Sequence, residues 1–248
     1  MSSIKILYED NHIIAVEKPA GLLTQGDRSG ERSLMEDVKD YLKEKYKKPG
    51  NVFLGLVHRL DKPVQGIVLF GKTSKGASRL SEQFREHTIQ KTYHAIVLGK
   101  PKELKGNLKE QVNKISFFAE GFTNKTDAEL LAEIKKATKT RTAELSYEVV
   151  PMPEASRMLG GEATGIKSGK YSLLKILPKT GRFHQIRIQM AEMGCPILGD
   201  AKYGSTAVEP YFKNAIALAA TAITFKTATD DKIINLEIPL PEQWHKYI

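Results

Sequence analysis

Short apolar runs and helical spacings along the chain predict a mixture of strands and helices. Strands are predicted where apolar runs are bounded by turn residues, over 4–8, 12–16, 67–70, 91–98, 143–150, 172–177 and 233–238. Helices are predicted over 33–47, 74–88 and 184–193. In the first helix Leu34, Val38 and Leu42 recur at every fourth position, and Gly194 is predicted to cap the last helix.

The order of these elements favours the α+β class. Strands outnumber helices and do not alternate with them as in βαβ units, so we expect a mixed, largely antiparallel sheet flanked by helices. No repeat, low-complexity tract or linker divides the chain, and residues 1–248 are therefore expected to form a single domain.

Composition and charge narrow the class of protein. The chain has 248 residues, of which 41% are hydrophobic and 27% charged, as is ordinary for a globular protein. Its 38 Lys and Arg against 29 Asp and Glu give a net charge of +9, which is typical of nucleic-acid binders but also of many other basic proteins. No apolar run is long enough to span a membrane, and one cysteine, Cys195, permits no internal disulfide. A reducing, cytoplasmic location without membrane contact is expected.

The densest polar cluster lies around Asp61, after a short apolar segment and before a Pro/Gly turn. Asp61 lies between Arg59 and Lys62, and neighbouring cations keep a carboxylate ionised even where solvent is excluded. Such a carboxylate can act as a nucleophile or as a base. The alternative is a surface turn in which Asp61 merely pairs with Lys62 or caps a backbone amide.

Two further basic regions allow two interpretations each. Residues 181–187 gather Arg182, His184 and Arg187 at the predicted start of a helix. There they can bind phosphates or pair with a buried carboxylate, or they are simply exposed charges around a helix cap. The lysine-rich segment 100–141 is either a phosphate-facing surface or a solvated charged face.

Motifs for nucleotide and metal chemistry are missing from the sequence. His58-Arg59-Leu60-Asp61 is similar to the catalytic loop of protein kinases, but there is no G-x-G-x-x-G loop and no Asp-Phe-Gly. The chain also lacks a G-x-x-x-x-G-K-[S/T] loop, a G-x-S-x-G elbow and an H-E-x-x-H helix, and its six histidines have no metal-ligand spacing. We therefore expect no nucleotide, no other cofactor and no metal.

Five blocks of the sequence, in this order along the chain, resemble the RluA-type RNA pseudouridine synthases. The blocks are residues 8–22, His58–Asp61 with Gly66–Phe70, Lys91–Val97, Gly181–Arg187 and Pro196–Gly204. Each block alone is a weak signal, whereas five blocks in the same order along the chain are specific for the family. The resemblance implies a pseudouridine synthase catalytic fold and the isomerisation of uridine to pseudouridine in ribosomal or transfer RNA.

The resemblance also implies roles for individual residues. Asp61 matches the catalytic aspartate, and Arg187 matches the arginine that pairs with it. Tyr93 matches a tyrosine that lies against the target base and is a candidate proton acceptor, and Arg59 matches an arginine that can fill the space left by the extruded base. Further RNA contacts are expected from the other polar residues of the two clusters: His58, Lys62, Arg182, His184 and Gln185.

The chain departs from the family pattern at a few positions. Val64-Gln65 stands where the family usually has Thr-Ser, Phe183 where many members have Thr, and Gln189 where many have a second histidine. These changes leave Asp61 in place. They are therefore expected to affect the choice of RNA target and the shape of the loops more than the chemistry. The S4-like RNA-binding domain that some members carry before the catalytic unit is expected to be absent, and a monomer is expected.

Two other functions compete with the isomerase. A non-catalytic RNA-binding or ribosome-assembly protein could keep the same fold, although binding alone does not need Asp61, Tyr93 and Arg187 together. A glycoside hydrolase needs paired carboxylates, and the five blocks contain no evident second acid.

Overall fold

The strands and helices of the protein are seen in a computed structural model that describes residues 4–112, 141–151, 170–205, 212 and 214–247. Its strands are β1 (Lys5–Glu9), β2 (Ile13–Lys18), β3 (Gly55–Leu56), β4 (Gln65–Gly71), β5 (Gln90–Leu98), β6 (Lys105–Val112), β7 (Arg141–Val149), β8 (Tyr171–Pro178), β9 (Leu218–Lys226) and β10 (Ile233–Glu237). Its helices are α1 (Leu34–Lys45), α2 (Ser74–Arg85) and α3 (Gln185–Glu192), with short 3-10 helices at Ala201–Tyr203 and Glu242–Lys246.

The strands that the structure describes form one ten-stranded sheet. Its order is β1-β2-β4-β9-β5-β8-β7-β6, with β3 added to β4 and β10 added to β9. Every pairing between these strands is antiparallel except that of β4 with β9, where Gln65 pairs with Ala219 and Gly66 with Ala220. The predicted α+β class with a mixed, largely antiparallel sheet is confirmed.

Both faces of the central strands are buried, which explains their continuous apolar runs. Successive side chains of a strand point to opposite faces. Accordingly, Ile14 of β2 and Val68 of β4 belong to one core cluster, and Ile13 and Ile67 belong to another. Helix α1 contributes its apolar face to the first cluster and α2 contributes Leu80 to the second. The sheet is thereby held between helices, and the loops at the ends of β4 and β5 are positioned by a rigid core.

The helices begin and end close to the predicted positions. Leu34, Val38 and Leu42 are at most 1% exposed, so the predicted apolar face of α1 is the buried one. Helix α3 ends before Gly194, which has the left-handed φ of +78° that favours glycine after a helix. None of the helices in the described part of the chain is long and apolar enough to cross a membrane.

Three of the described strands have no counterpart in the predictions: the two-residue β3, β6 and β9. Strand β6 lies in the lysine-rich segment, and β9 has an alanine-rich sequence with a weak preference for strand. Strand β9 nevertheless lies near the middle of the sheet, between β4 and β5. Much of the lysine-rich segment 100–141, for which a phosphate-facing surface and a solvated face were both open, lies outside the described residues, over 113–140.

Candidate active site

Asp61 lies in the loop that leads from β3 into β4, on a well-anchored turn. The Val64 N–H donates to the Asp61 carbonyl at 3.0 Å. The residue before it, Leu60, is buried, and its backbone N–H and carbonyl are both bonded to the hydroxyl of Thr24, at 3.2 and 2.8 Å. The Asp61 side chain keeps 25% of its surface exposed. Its carboxylate is thus held at a fixed place and remains reachable from solvent.

Arg187, on the first turn of α3, connects Asp61 to a second carboxylate. Its Nη1 donates to Oδ2 of Asp61 at 3.2 Å. Its Nε and Nη2 donate to the two oxygens of Asp200 at 2.7 and 2.8 Å. Arg187 is 6% exposed and Asp200 is 1% exposed. The predicted pairing of Arg187 with Asp61 is present, and Asp61 does not pair with Lys62, whose ammonium bonds Glu31 at 2.6 Å.

Burial and charge act in opposite directions on the carboxyl of Asp61. Burial is the largest influence and raises its pKa above the ordinary aspartate value. The positive charges of Arg187, Arg59 and Lys18 lower the pKa and offset part of that rise. Burial and the neighbouring positive charges therefore compete at this carboxyl, and the three cations favour its ionised form.

His184 lies against the same carboxylate and precedes α3. Its φ of +49° is in the left-handed region, which a non-glycine residue adopts at a cost in backbone strain. Nδ1 is 2.7 Å from the hydroxyl of Tyr203, and Nε2 is 3.4 Å from Oδ2 of Asp61. Burial and the charge of Arg187 lower the pKa of His184 to about 3. The ring is therefore neutral beside Asp61.

Tyr93 enters the site from β5. The pairing of β5 with β9 shifts register between Thr92 and Tyr93, and a bulge of this kind redirects a side chain at the edge of a site. Burial, with a further contribution from the charge of Asp61, raises the pKa of Tyr93 well above its ordinary value. The phenol is accordingly neutral at neutral pH.

Lys18, at the end of β2, supports the Asp61 loop from inside the protein. It is fully buried, and its Nζ donates to the carbonyls of Pro19, Leu22 and Lys62 at 3.0, 2.6 and 3.0 Å. Burial lowers its pKa to about 7. Three carbonyl acceptors match the three hydrogens of an ammonium group, so the hydrogen-bond geometry fits the protonated form.

A cleft of about 540 Å³, a size ordinary for a ligand site, lies beside the Asp61 carboxylate. Asp61, Tyr93 and Arg187 all line it. Four further cationic side chains line it as well: Arg59, Arg85, Lys91 and Arg182. Among the described residues that line this cleft, Asp61 is the only carboxylate. The cleft therefore attracts anions and presents one carboxylate to them.

The predicted RNA-contacting residues fall into three groups. Arg59, Arg182 and His184 line the cleft. His58 and Gln185 also border it, but their polar atoms are used inside the protein: Nε2 of His58 accepts from the Leu69 N–H at 2.9 Å, and the Gln185 amide bonds backbone and side-chain groups around the start of α3. Lys62 does not line the cleft.

Several site residues were not among the predicted ones. Asp200 and Tyr203 lie in the fifth sequence block and Lys18 lies in the first. The family resemblance therefore included these residues but assigned no role to them. Lys91 lies in the third sequence block, which gave it no role, whereas Arg85, at the end of α2, had no signal beyond its charge. The place of Arg85 in the cleft depends on how α2 packs on the sheet.

Comparisons with known proteins show which family this chain belongs to. The family model for RNA pseudouridylate synthase matches residues 12–192. The ribosomal large subunit pseudouridine synthase C of Rickettsia bellii (strain RML369-C) is 31% identical over 243 residues, covering 97% of this chain and 70% of that protein. The tRNA pseudouridine synthase C of Haemophilus ducreyi (strain 35000HP / ATCC 700724) is 32% identical over 252 residues, covering 97% and 93%.

A solved structure shares the fold. Human RNA pseudouridylate synthase domain containing 4 superposes with a TM-score of 0.72, covering 97% of this chain and 90% of the human one. At 20% identity this likeness concerns the fold alone. With the family model covering 12–192 and relatives above 30% identity aligned over most of their length, the chain belongs to the RluA-type RNA pseudouridine synthase family, a family of RNA isomerases.

Proposed function

We propose that this protein isomerises uridine to pseudouridine in ribosomal or transfer RNA, with Asp61 as the catalytic carboxylate. The observation that carries the proposal is the position of Asp61: it is the one carboxylate among the described residues of a cation-lined cleft, and Arg187 holds it there. The names of the relatives, which refer to large ribosomal subunit and to tRNA, support both RNA classes as substrates.

The reaction breaks the N1–C1′ bond of the target uridine, rotates the uracil and joins its C5 to C1′, while the proton on C5 is lost to solvent and N1 gains one. Asp61 acts at the sugar in its ionised form, either by attack at C1′ or by removal of the C2′ proton. Both routes need a carboxylate that is charged, desolvated and fixed in orientation. Arg187 supplies the positive charge that favours the ionised carboxylate and the hydrogen bond that fixes its orientation.

The other cleft residues have roles in holding the RNA. A uridine in paired RNA must be extruded before it reaches a cleft, at a cost of roughly a few kcal/mol. Arg59 can fill the space it leaves, and Tyr93 lies against the base, where base–aromatic stacking contributes about 1–3 kcal/mol. The phenol of Tyr93 is neutral. Tyr93 therefore contacts the uracil and does not accept a proton in the reaction. Arg85, Lys91 and Arg182 are placed to contact phosphates.

The hydrolase alternative loses support at Asp200. A glycoside hydrolase would need a second carboxyl group able to exchange protons at the sugar. Asp200 is a second carboxylate bonded to Arg187, but both of its oxygens are bound by that arginine and it is 1% exposed.

We also propose a domain organisation, a cellular location and an oligomeric state for this protein. One continuous sheet runs from β1 to β6, which supports a single catalytic domain over 1–248. Cys195 is free and buried, in keeping with a cytoplasmic protein. We propose that it acts as a monomer and without a cofactor.

Release of tritium from [5-³H]uridine-labelled RNA tests the proposal. The RNA is taken from cells that lack this gene and is separated by size into transfer and ribosomal fractions. Wild type is expected to release tritium from at least one fraction, and Asp61→Asn to release none while binding the same RNA with similar affinity. Asp40→Asn, at an exposed carboxylate bonded to Arg32, is the matched control and is expected to act as wild type.

Three outcomes would contradict this assignment. Equal release by wild type and Asp61→Asn would remove Asp61 from the chemistry. RNA binding without any release would support the non-catalytic RNA-binding protein, and release of free uracil would support hydrolysis.

A further inference from the structure

Phe183 presents a large apolar ring to solvent at the edge of the cleft. It is 51% exposed, although burying a phenylalanine side chain is strongly favourable. Its two neighbours in the chain, Arg182 and His184, both line the cleft, so Phe183 lies at the cleft rim. No ring other than His184 stacks on it among the described residues.

A stack of planar groups connects this exposed ring to the catalytic carboxylate. The rings of Phe183 and His184 have centroids 3.8 Å apart and planes 16° apart, which is parallel stacking. Nη1 of Arg187 lies 3.3 Å from both ring nitrogens of His184, a position over the ring. Because Phe183 covers one face of the imidazole, this guanidinium covers the other. The order is thus Phe183, His184, Arg187, with Asp61 bonded to the last.

The backbone holds the stack in place. The left-handed φ of His184, at +49°, turns the chain between Phe183 and α3. Nδ1 of His184 bonds the Tyr203 hydroxyl at 2.7 Å, which fixes the orientation of the imidazole. Arg187 is fixed in turn by Asp200. The exposed face of Phe183 is therefore presented by a preorganised support.

We propose that the exposed face of Phe183 is a stacking platform for the base of a nucleotide adjacent to the target uridine, and that it favours a purine there. This inference rests on the proposed function. When one nucleotide is extruded into a cleft, its neighbours in the RNA remain outside at the rim, which is where Phe183 lies. Every base has a π-face, but a purine offers the larger one and stacks more strongly.

Arg182 completes the subsite. It lies next to Phe183 in the chain and lines the cleft, and its Nε is held by the carbonyl of Thr142 at 3.1 Å. A guanidinium in that position is suited to the phosphate that joins the stacked nucleotide to the target. An apolar protein partner would have no use for this cation beside the ring.

Fluorescence of a modified RNA tests the platform without requiring turnover. The probes are two short cytidine-rich RNAs with one central uridine, with 2-aminopurine on its 5′ side in one and on its 3′ side in the other. The full chain carrying Asp61→Asn is titrated to saturation, as followed by anisotropy. Stacking on an aromatic ring quenches 2-aminopurine, so one of the two probes is expected to lose fluorescence. Adding Phe183→Ala is expected to abolish that loss, and Phe183→Trp to retain it.

Two control variants separate stacking from general apolar contact. Phe183→Leu keeps an apolar side chain without a ring and is expected to behave as Phe183→Ala. Phe53→Ala removes another exposed phenylalanine, 53% exposed and located before β3, and is expected to quench as the parent does. In the active enzyme, Phe183→Ala is expected to raise KM about tenfold with kcat unchanged, because the contact is made equally before and during the reaction.

The outcomes distinguish this inference from the proposed function. Absence of quenching with both probes, or quenching that survives Phe183→Ala or Phe183→Leu, would overturn the platform even if the enzyme forms pseudouridine. Absence of tritium release by the wild type would overturn the proposed function, whereas the quenching result would still report on base stacking at Phe183.

Discussion

Arg187 is bound more closely to Asp200 than to Asp61. Its two bonds to Asp200 measure 2.7 and 2.8 Å, and its single bond to Asp61 measures 3.2 Å. A bidentate bond between a guanidinium and a carboxylate fixes the plane of both groups. Asp200 therefore anchors the arginine from the buried side and leaves Nη1 for the Asp61 carboxylate.

Loss of this anchor is expected to slow the reaction more than it weakens RNA binding. Asp200→Asn keeps the volume of the side chain but removes the charge that orients Arg187. A small displacement of a catalytic group can cost about a hundredfold, and we expect a fall in kcat of about that size with KM little changed. Single-turnover tritium release measures it, with Asp40→Asn as the control for loss of a carboxylate and thermal unfolding as the check on folding. A kcat equal to that of wild type would show that Arg187 needs no anchor.

The pH dependence of the reaction is expected to follow Asp61. Because burial raises the pKa of Asp61 and the reaction needs the ionised form, activity is expected to fall on the acid side with a midpoint above the ordinary aspartate value of 3.8. Arg59→Gln removes a positive charge that lowers this pKa, so the acid limb is expected to move to higher pH.

Lys62→Gln is the matched control for the pH profile. Lys62 is the other cation beside Asp61 in the chain, but its ammonium is bonded to Glu31, and the acid limb is expected to stay in place. The profile is measured under single-turnover conditions at saturating RNA. An equal shift in both variants would assign the effect to net charge and not to Arg59.

Removal of the buried ammonium is expected to destabilise the fold and the Asp61 loop together. Lys18→Met takes away the donor to the carbonyls of Pro19 and Leu22, and the Lys62 carbonyl keeps a bond from the Gly21 N–H. Buried acceptors without a donor cost about 1–3 kcal/mol each, so the free energy of unfolding is expected to fall by about 3 kcal/mol. Urea denaturation measures the change.

The control for Lys18 is an exposed lysine in an ion pair. Lys5→Met breaks a pair with Glu17 in which the lysine side chain is 60% exposed, and exposed pairs contribute about 0–1 kcal/mol. A Lys18→Met protein as stable as the Lys5→Met protein would contradict a structural role for the buried ammonium.

Gly66 is expected to tolerate no side chain. Its φ is +136°, and a Cβ there would lie 2.3 Å from the carbonyl oxygen and 2.6 Å from the nitrogen of Ala220, both in the backbone of β9. Gly66→Ala is therefore expected to disrupt the parallel pairing of β4 with β9 and to lower the free energy of unfolding by at least ~3 kcal/mol. Gly50→Ala, where a Cβ meets no atom within 4 Å, is expected to change it by less than about 1 kcal/mol. Similar unfolding curves for the two variants would contradict the close approach of β9.

Local sequence was sufficient for most elements of the fold. The apolar face of α1 and the short apolar runs of β2 and β4 could be predicted because the pattern of apolar residues lies within each segment. The central strand β9 could not be found in this way, because its alanines have a weak strand preference and its place depends on pairing with Gln65 and Gly66 on one side and with β5 on the other.

Some features of the candidate site could likewise be predicted from the sequence, and others depend on the tertiary structure. The sequence by itself determined the family and predicted the site residues Asp61, Tyr93 and Arg187, because family motifs keep residue types and spacing along the chain. Only the tertiary structure decided that Asp200 anchors Arg187, that Lys18 is buried beneath the loop and that Phe183 stays exposed on His184. Burial and pairing between distant segments set these relationships, since an aspartate, lysine or phenylalanine at an isolated surface position would have no fixed partner.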